Sequence, residues 1–224
     1  SRLLIINNNV RQFDQEWGAE HAPNIDINAG GRIKVIKGAN TLIYGSDAIG
    51  GLILIRPENY TRKDTLFGGT STSLNTNGWG GNINSEMIKT YESGYYAKAQ
   101  ASYKMFGDFE AADYNLSNSG VKSINASARF GYKSFEKGFD AYYSYVNNTI
   151  GIIRGAHVGN VNDLIRAINR KEPSFIDDFS YAIDNPKQVI SHHLGKVEAY
   201  KRFKGLGKLT LQYDFQVNRR KEFD

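Results

Sequence analysis

Few side chains in this 224-residue chain could do chemistry, and most of them are poorly spaced for it. His192 and His193 are adjacent, but neighbouring positions of a strand face opposite sides, so they read as a polar rim feature rather than a metal pair. Ser46 directly follows Gly45, which breaks the Gly-x-Ser-x-Gly spacing of a nucleophile elbow. The glycines from Gly45 to Gly51 match neither phosphate-cradling spacing. Cysteine is absent, which excludes disulfides, Cys-based zinc sites and thiol nucleophiles. No catalytic constellation forms, so the chain does not read as an enzyme; turnover abolished by replacing His157 or His193 would reverse that. Asn115, Asn125 and Asn148 each open an Asn-x-Ser/Thr triplet, but Asn125 falls inside an expected strand and the triplets carry no weight. The richest stretch is Arg11–Pro23, RQFDQEWGAEHAP. Trp17 offers stacking or apolar contact there, and Gln15, Glu16, Glu20 and His21 offer polar or metal-directed groups. The structural alternative is that Trp17 packs against a wall and His21 caps a turn.

Positioning these residues falls to β structure. The composition holds 14 Tyr, 12 Phe and 23 Gly, and aromatics suit pleated surfaces while Gly is costly inside helices. From residue 95 onward the dominant period is two. Tyr95, Ala97, Ala99, Ala101, Tyr103 and Met105 alternate with Tyr96, Lys98, Gln100, Ser102 and Lys104. Ile124, Ala126, Ala128, Phe130 and Tyr132 alternate with Asn125, Ser127, Arg129, Gly131 and Lys133, and Leu209 to Val217 repeats the pattern. Further strands are expected at about 139–147 and 190–203, with weaker alternation at 65–74 and 79–90. These strands have one apolar and one strongly polar face and approach the 9–11 residues that cross a bilayer at a tilt of roughly 45°.

Connections also alternate. Tyr91–Gly94, Ser134–Gly138 and Lys204–Gly207 are short, whereas 107–120 and 150–187 are long. Short turns at one end and long loops at the other are the layout of an outer-membrane barrel. Within the second loop, Leu164, Ile165 and Ile168 in Asp163–Glu172 predict a short amphipathic helix. That loop is charge-neutral, with five basic and five acidic residues, which removes any argument that it recruits an anionic ligand by charge. The mean hydropathy of −0.49 and the lack of an apolar run of about 18 residues exclude helical membrane spans but not barrel strands. The net charge of +5 would suit nucleic acid, yet nearly all the excess lies in 188–224. Such a local excess reads as a solvated or turn-flanking feature, and no nucleic-acid partner is expected.

Residues 1–60 differ. Leu3–Ile6, Arg32–Ile36 and Leu52–Ile55 are short apolar runs separated by Gly-rich turns, predicting a small unit of buried strands with a boundary near Pro57–Asp64. The stretch GRIKVIKGANTLIYGSDAIGGLILI, Gly31 to Ile55, resembles the C-terminal part of the plug domain of TonB-dependent outer-membrane receptors. LLIINNNVRQFDQEWGAEHAPNID resembles the preceding plug strand and apical loop, and the strands from Leu66 resemble the start of the barrel. Lys34 stands where the family usually carries an acidic residue, Ala39 where it has Pro, and Asn8-Asn9 where Asp-Gly is common. Asn tolerates left-handed backbone, so the last still permits a turn.

The resemblance implies a mainly β fold: a small α/β plug segment over 1–60, then an antiparallel meander over 61–224 of about seven strands belonging to a large transmembrane β-barrel. It implies residence in the cell outer membrane and energy-coupled uptake of a scarce nutrient, foremost a ferric siderophore or other iron complex, with haem and cobalamin as further substrates. Implied partners are the TonB energy-transducing complex, reached through an N-terminal segment not in this sequence, outer-membrane lipid, and a small-molecule or metal-chelate substrate. No resident metal or cofactor is implied. Family plug loops floor the substrate site, which makes Gln15, Glu16, Trp17 and His21 the expected substrate contacts. Such barrels have about 22 strands, so the remainder of the barrel is required to cover the open edges. The alternative is a soluble β-rich binding module of carbohydrate-binding or adhesin type.

Overall fold

A computed structural model describes residues 3–13, 24–45, 48–153 and 160–224. The expected plug contacts Gln15, Glu16, Trp17 and His21 lie outside the described residues.

The short apolar runs near the start assemble into one small sheet. Its strands are β1 (Leu3–Asn7), β2 (Val10–Arg11), β3 (Arg32–Ile36) and β4 (Gly51–Arg56), in the order β2-β1-β4-β3. β1 runs parallel to β4, and β3 antiparallel to it. Leu4, Ala48, Leu52 and Leu54 form the core, with Ile6, Ile36 and Tyr44 packed around them. The helical content between the strands is 3-10, at Ile27–Ala29 and Gly38–Tyr44. One expectation fails here: Arg32–Ile36 is not a buried strand, since Ile33 and Val35 are 46% and 57% exposed. The cause is topological, because β3 is the edge of the sheet and has a neighbour on one side only.

The period-two segments form a single antiparallel sheet in the order β13-β12-β11-β10-β7-β6-β5. The strands are β5 (Thr65–Asn75), β6 (Gly80–Thr90), β7 (Tyr95–Phe106), β10 (Val121–Lys133), β11 (Lys137–Gly151), β12 (Lys187–Phe203) and β13 (Gly207–Phe223). A minor hairpin, β8 (Phe109–Glu110) with β9 (Asn115–Leu116), decorates the first long loop. The large sheet is open, and β5 and β13 are its edges.

Its faces are reversed relative to a water-soluble protein. On β7 the polar Lys98, Gln100 and Ser102 are buried while Ala99, Ala101 and Tyr103 are exposed. On β10, Ser123, Asn125, Ser127 and Arg129 are buried while Ile124 and Phe130 are exposed. The N-terminal sheet lies against the polar face. Gly131 shows how closely that face is packed, because a Cβ there would collide with the Tyr96 ring and hydroxyl.

At the long-loop end, buried side chains tie the two loops together. Asp108 accepts from the Ser119 amide at 3.0 Å and the Ser180 amide at 3.2 Å. Asn118 donates to the carbonyls of Ile152 and Pro186 and accepts from the Asp184 amide. The amphipathic helix α1 spans Val161–Ile168, starting and ending earlier than the apolar spacing predicts. Asn160 sets its start by accepting the Asp163 amide at 3.0 Å, a cap that spacing alone does not locate.

Candidate functional site

The arrangement with most chemical content is the contact between the N-terminal sheet and the polar face of the large sheet. It begins with a turn. Asn8 and Asn9 have φ of 54° and 65°, the left-handed values that a two-residue hairpin requires at both central positions. Asn and Gly adopt them most readily. The turn joins β1 to β2 and carries Asn8–Gln12 onto the wall.

Four strands of the large sheet receive it. The Arg129 guanidinium of β10 donates to Asn8 Oδ1. On β13, Gln216 Nε2 donates to the Arg11 carbonyl at 2.8 Å and Gln212 Nε2 to the Asn9 carbonyl at 3.4 Å. Val10, 2% exposed, packs against Tyr142 of β11 and Leu194 of β12 as the apolar element of the contact.

Asp26 makes the second attachment. One carboxylate oxygen caps the short 3-10 turn, accepting from the Asn28 amide at 2.9 Å and from Asn28 Nδ2 at 3.0 Å. The other accepts from Gln100 Nε2 at 2.9 Å and Ser102 Oγ at 2.8 Å on β7. Those donors are held in turn, since Ser127 Oγ donates to Gln100 Oε1 and Asn125 Nδ2 to Ser102 Oγ. Hydrogen bonds to a charged group contribute about 1.5–3 kcal/mol each, and Asp26 is buried.

Arg129 also organises the short-turn end. Its guanidinium is 3.7 Å from the Asp140 carboxylate and sits over the Tyr142 ring at 4.8 Å. Asp140 accepts from the Tyr96 hydroxyl at 2.8 Å, and Tyr60 stacks on Tyr96 with centroids 4.5 Å apart. Burial pushes the Tyr60 phenol up to about 12, against a smaller opposing pull from Arg129. Beside this cluster a cavity of about 210 Å³ opens between the hairpin tip and the wall, lined by Asn9, Tyr60, Tyr96, Arg129, Lys196 and Lys208 among others. Two buried lysines of the sheet's inner face are paired, Lys98 with Glu86 at 2.7 Å and Lys196 with Glu198 at 2.8 Å.

The two adjacent histidines separate as strand alternation requires. His192 is buried on the inner face, while His193 lies on the outer face with Nδ1 2.6 Å from the Tyr143 hydroxyl. Among the described residues no group of three or more His, Asp or Glu is arranged to hold a metal ion. Lys34 is exposed and forms no ion pair among the described residues. The Arg129–Asn8 contact and the Asp26 attachment were not singled out from the sequence. Asp26 does carry a local signal, since an Asp two residues before Asn28 matches an Asx-type cap.

Residues 1–52 match the family model described as TonB-dependent Receptor Plug Domain. No curated protein matches the chain. The plug match, over residues 1–52 of 224, supports a TonB-dependent receptor, and the antiparallel sheet that turns its polar face to the matched residues is compatible with it.

Proposed function

We propose that residues 1–60 are plug and 61–224 are barrel wall of an outer-membrane transporter that takes up a scarce nutrient, with a ferric siderophore or other iron complex as the substrate class. The TonB complex supplies the force. The observation that supports the reading is the character of the plug-to-wall contact: beside Val10 on Tyr142 and Leu194 and the stack of Tyr60 on Tyr96, it is made by hydrogen bonds, one of them from a guanidinium. Water can replace such bonds one by one when the hairpin leaves the wall, whereas separating an apolar interface would cost about 25 cal/mol for each Å² exposed. A polar interface therefore lets a plug sit firmly yet be pulled aside. In this reading Gln15, Glu16, Trp17 and His21 contact the substrate, and further strands pair with β5 and β13 to complete the barrel.

The outer face supports the membrane reading over a soluble binding module. Tyr103, Ile124, Phe130, Tyr143, Val197, Leu211 and Phe215 are all exposed on it, a surface suited to lipid and costly in water.

A tether tests the mechanism. The chain contains no native cysteine, so Asn9→Cys with Gln212→Cys introduces one pair across the contact that Gln212 makes with Asn9. Oxidation should block uptake in cells expressing the full-length receptor, and reduction should restore it. Uptake indifferent to oxidation of the formed disulfide would exclude movement of the hairpin from this wall. Growth of a deletion strain on defined iron, haem or cobalamin sources, with and without the restored gene, identifies the substrate.

A further inference from the structure

The large sheet divides its charges unequally between its faces. Its strand carboxylates are Glu86, Asp140, Glu198, Asp214 and Glu222. All of them fall on the inner face: Glu86 pairs with Lys98, Asp140 with Arg129, and Glu198, Asp214 and Glu222 share the alternation of Lys196 and Gln212. The outer face carries cations without carboxylates, and it carries them only at its ends. Lys89, Lys137 and Lys201 are near the short turns, while Lys122, Lys187, Arg219 and Lys221 are near the long loops.

We propose that Lys122, Arg219 and Lys221 form a binding site for the phosphate groups of lipid headgroups in the leaflet that meets the long-loop end. Register brings them together. Lys122 is beside Thr149, Thr149 beside Val189, and Val189 beside Lys221. One row nearer the bilayer centre, Asn147 is beside Ser191 and Ser191 beside Arg219. Three strand spacings put Lys122 and Lys221 about 14 Å apart, close enough for flexible side chains to converge over a floor of Asn147, Thr149, Ser191 and Val189. All three cations are exposed, and none forms an ion pair among the described residues. Lys187 borders the patch but is engaged, its Nζ donating to the Ile183 carbonyl at 3.2 Å.

Height along the wall identifies the occupant. On β13 the outer positions Leu209, Leu211, Tyr213, Phe215 and Val217 are apolar or aromatic, about 27 Å of strand at 3.4 Å per residue. Tilted, that length accounts for most of the roughly 25 Å apolar band of such barrels. Arg219 and Lys221 are the next two outward positions, so the cations start where hydrocarbon gives way to headgroups. An isolated set of cations at that level meets phosphate, the anion lipids present there.

The inference rests on the barrel reading, and the test separates the two. The full-length receptor is exposed in detergent to bisphosphorylated lipid A or to lipid A stripped of both phosphates, and bound lipid is counted by native mass spectrometry. Flotation with phosphatidylcholine vesicles reports insertion. The wild type should insert and prefer the phosphorylated lipid by at least about tenfold. K122Q/R219Q/K221Q should insert equally and lose the preference, while K137Q/K201Q at the opposite rim should keep it. Equal preference in the wild type and the triple variant overturns the site and leaves the barrel standing; a wild type that does not float overturns both. Should the triple variant fail to assemble, the wild type decides alone: its preference must weaken between about 0.05 and about 0.5 M salt, and a salt-independent preference overturns the proposal.

Discussion

The plug segment is held together in one way and held to the wall in another. Inside the N-terminal sheet the contact is apolar: Leu52 is fully buried, with Leu4, Leu54 and Ala48 around it. Between that sheet and the wall, one apolar side chain, Val10, packs on Tyr142 and Leu194, and the other fixing groups are the Asp26 carboxylate, the Arg129 guanidinium and the amides of Gln212 and Gln216. An apolar core resists water at every point of its opening, whereas hydrogen bonds can be traded for water singly. On the proposed function, this difference lets the N-terminal unit stay folded while its attachments change.

The largest expected effect tests the first half of that contrast. Leu52→Ala should destabilise the N-terminal sheet by about 2–5 kcal/mol, read as faster proteolysis within β1 to β4 while the large sheet stays resistant. Unchanged proteolysis would mean that the wall, not the core, holds the plug together.

Facing comes next. Ala99→Arg puts a charge on the exposed outer face, at a cost of about 2–4 kcal/mol if near the bilayer midplane, whereas Gln100→Arg places it on the polar inner face beside the Asp26 carboxylate. Only the first should impair membrane assembly, checked by heat-modifiability on gels. Equal behaviour of the two variants would reverse the faces and with them the contrast.

Asp26→Ala tests the polar attachment. It strands Gln100, Ser102 and Asn28 donors, costing about 1–3 kcal/mol for the groups left unpaired. Hydrogen exchange should quicken at residues 24–30 and not at β4, the strand of the apolar core. If β4 exchanges equally fast, core and attachment are one cooperative unit.

A smaller effect is expected from Asn9→Ala, which leaves Ala at a φ of 65° and should loosen the hairpin tip by about 1–2 kcal/mol. Gly at the same position should retain the wild-type protection. Smallest is the effect of alkaline pH on Tyr60. Its neutral form is favoured by burial, so that contribution is complete below the ordinary phenol value of about 10 and is lost as pH rises through about 12. Tyr60→Phe should remove one late-ionising tyrosine from a titration followed at the phenolate absorbance.

Much of the wall was legible because its code is local. Tyr95–Met105 and Ile124–Tyr132 alternate so regularly that the strands and their two faces follow from the sequence, and the Asn8-Asn9 turn follows from residue type. The exposure of β3 was not legible, because Ile33 and Val35 look like core residues until the strand order puts them at an edge. The Asp26 attachment was not legible either: its partner Gln100 is 74 residues away, and no periodicity links the two. The start of α1 depended on Asn160, one polar residue among several in its loop.

Local stereochemistry therefore determined, by itself, which side chains share a face, since a strand has period two wherever it pairs. The tertiary structure decided which of those faces meets the N-terminal sheet, and at which row. Register and sheet order bring Arg129 to Asn8 and Gln216 to Arg11, and both depend on contacts between segments more than a hundred residues apart.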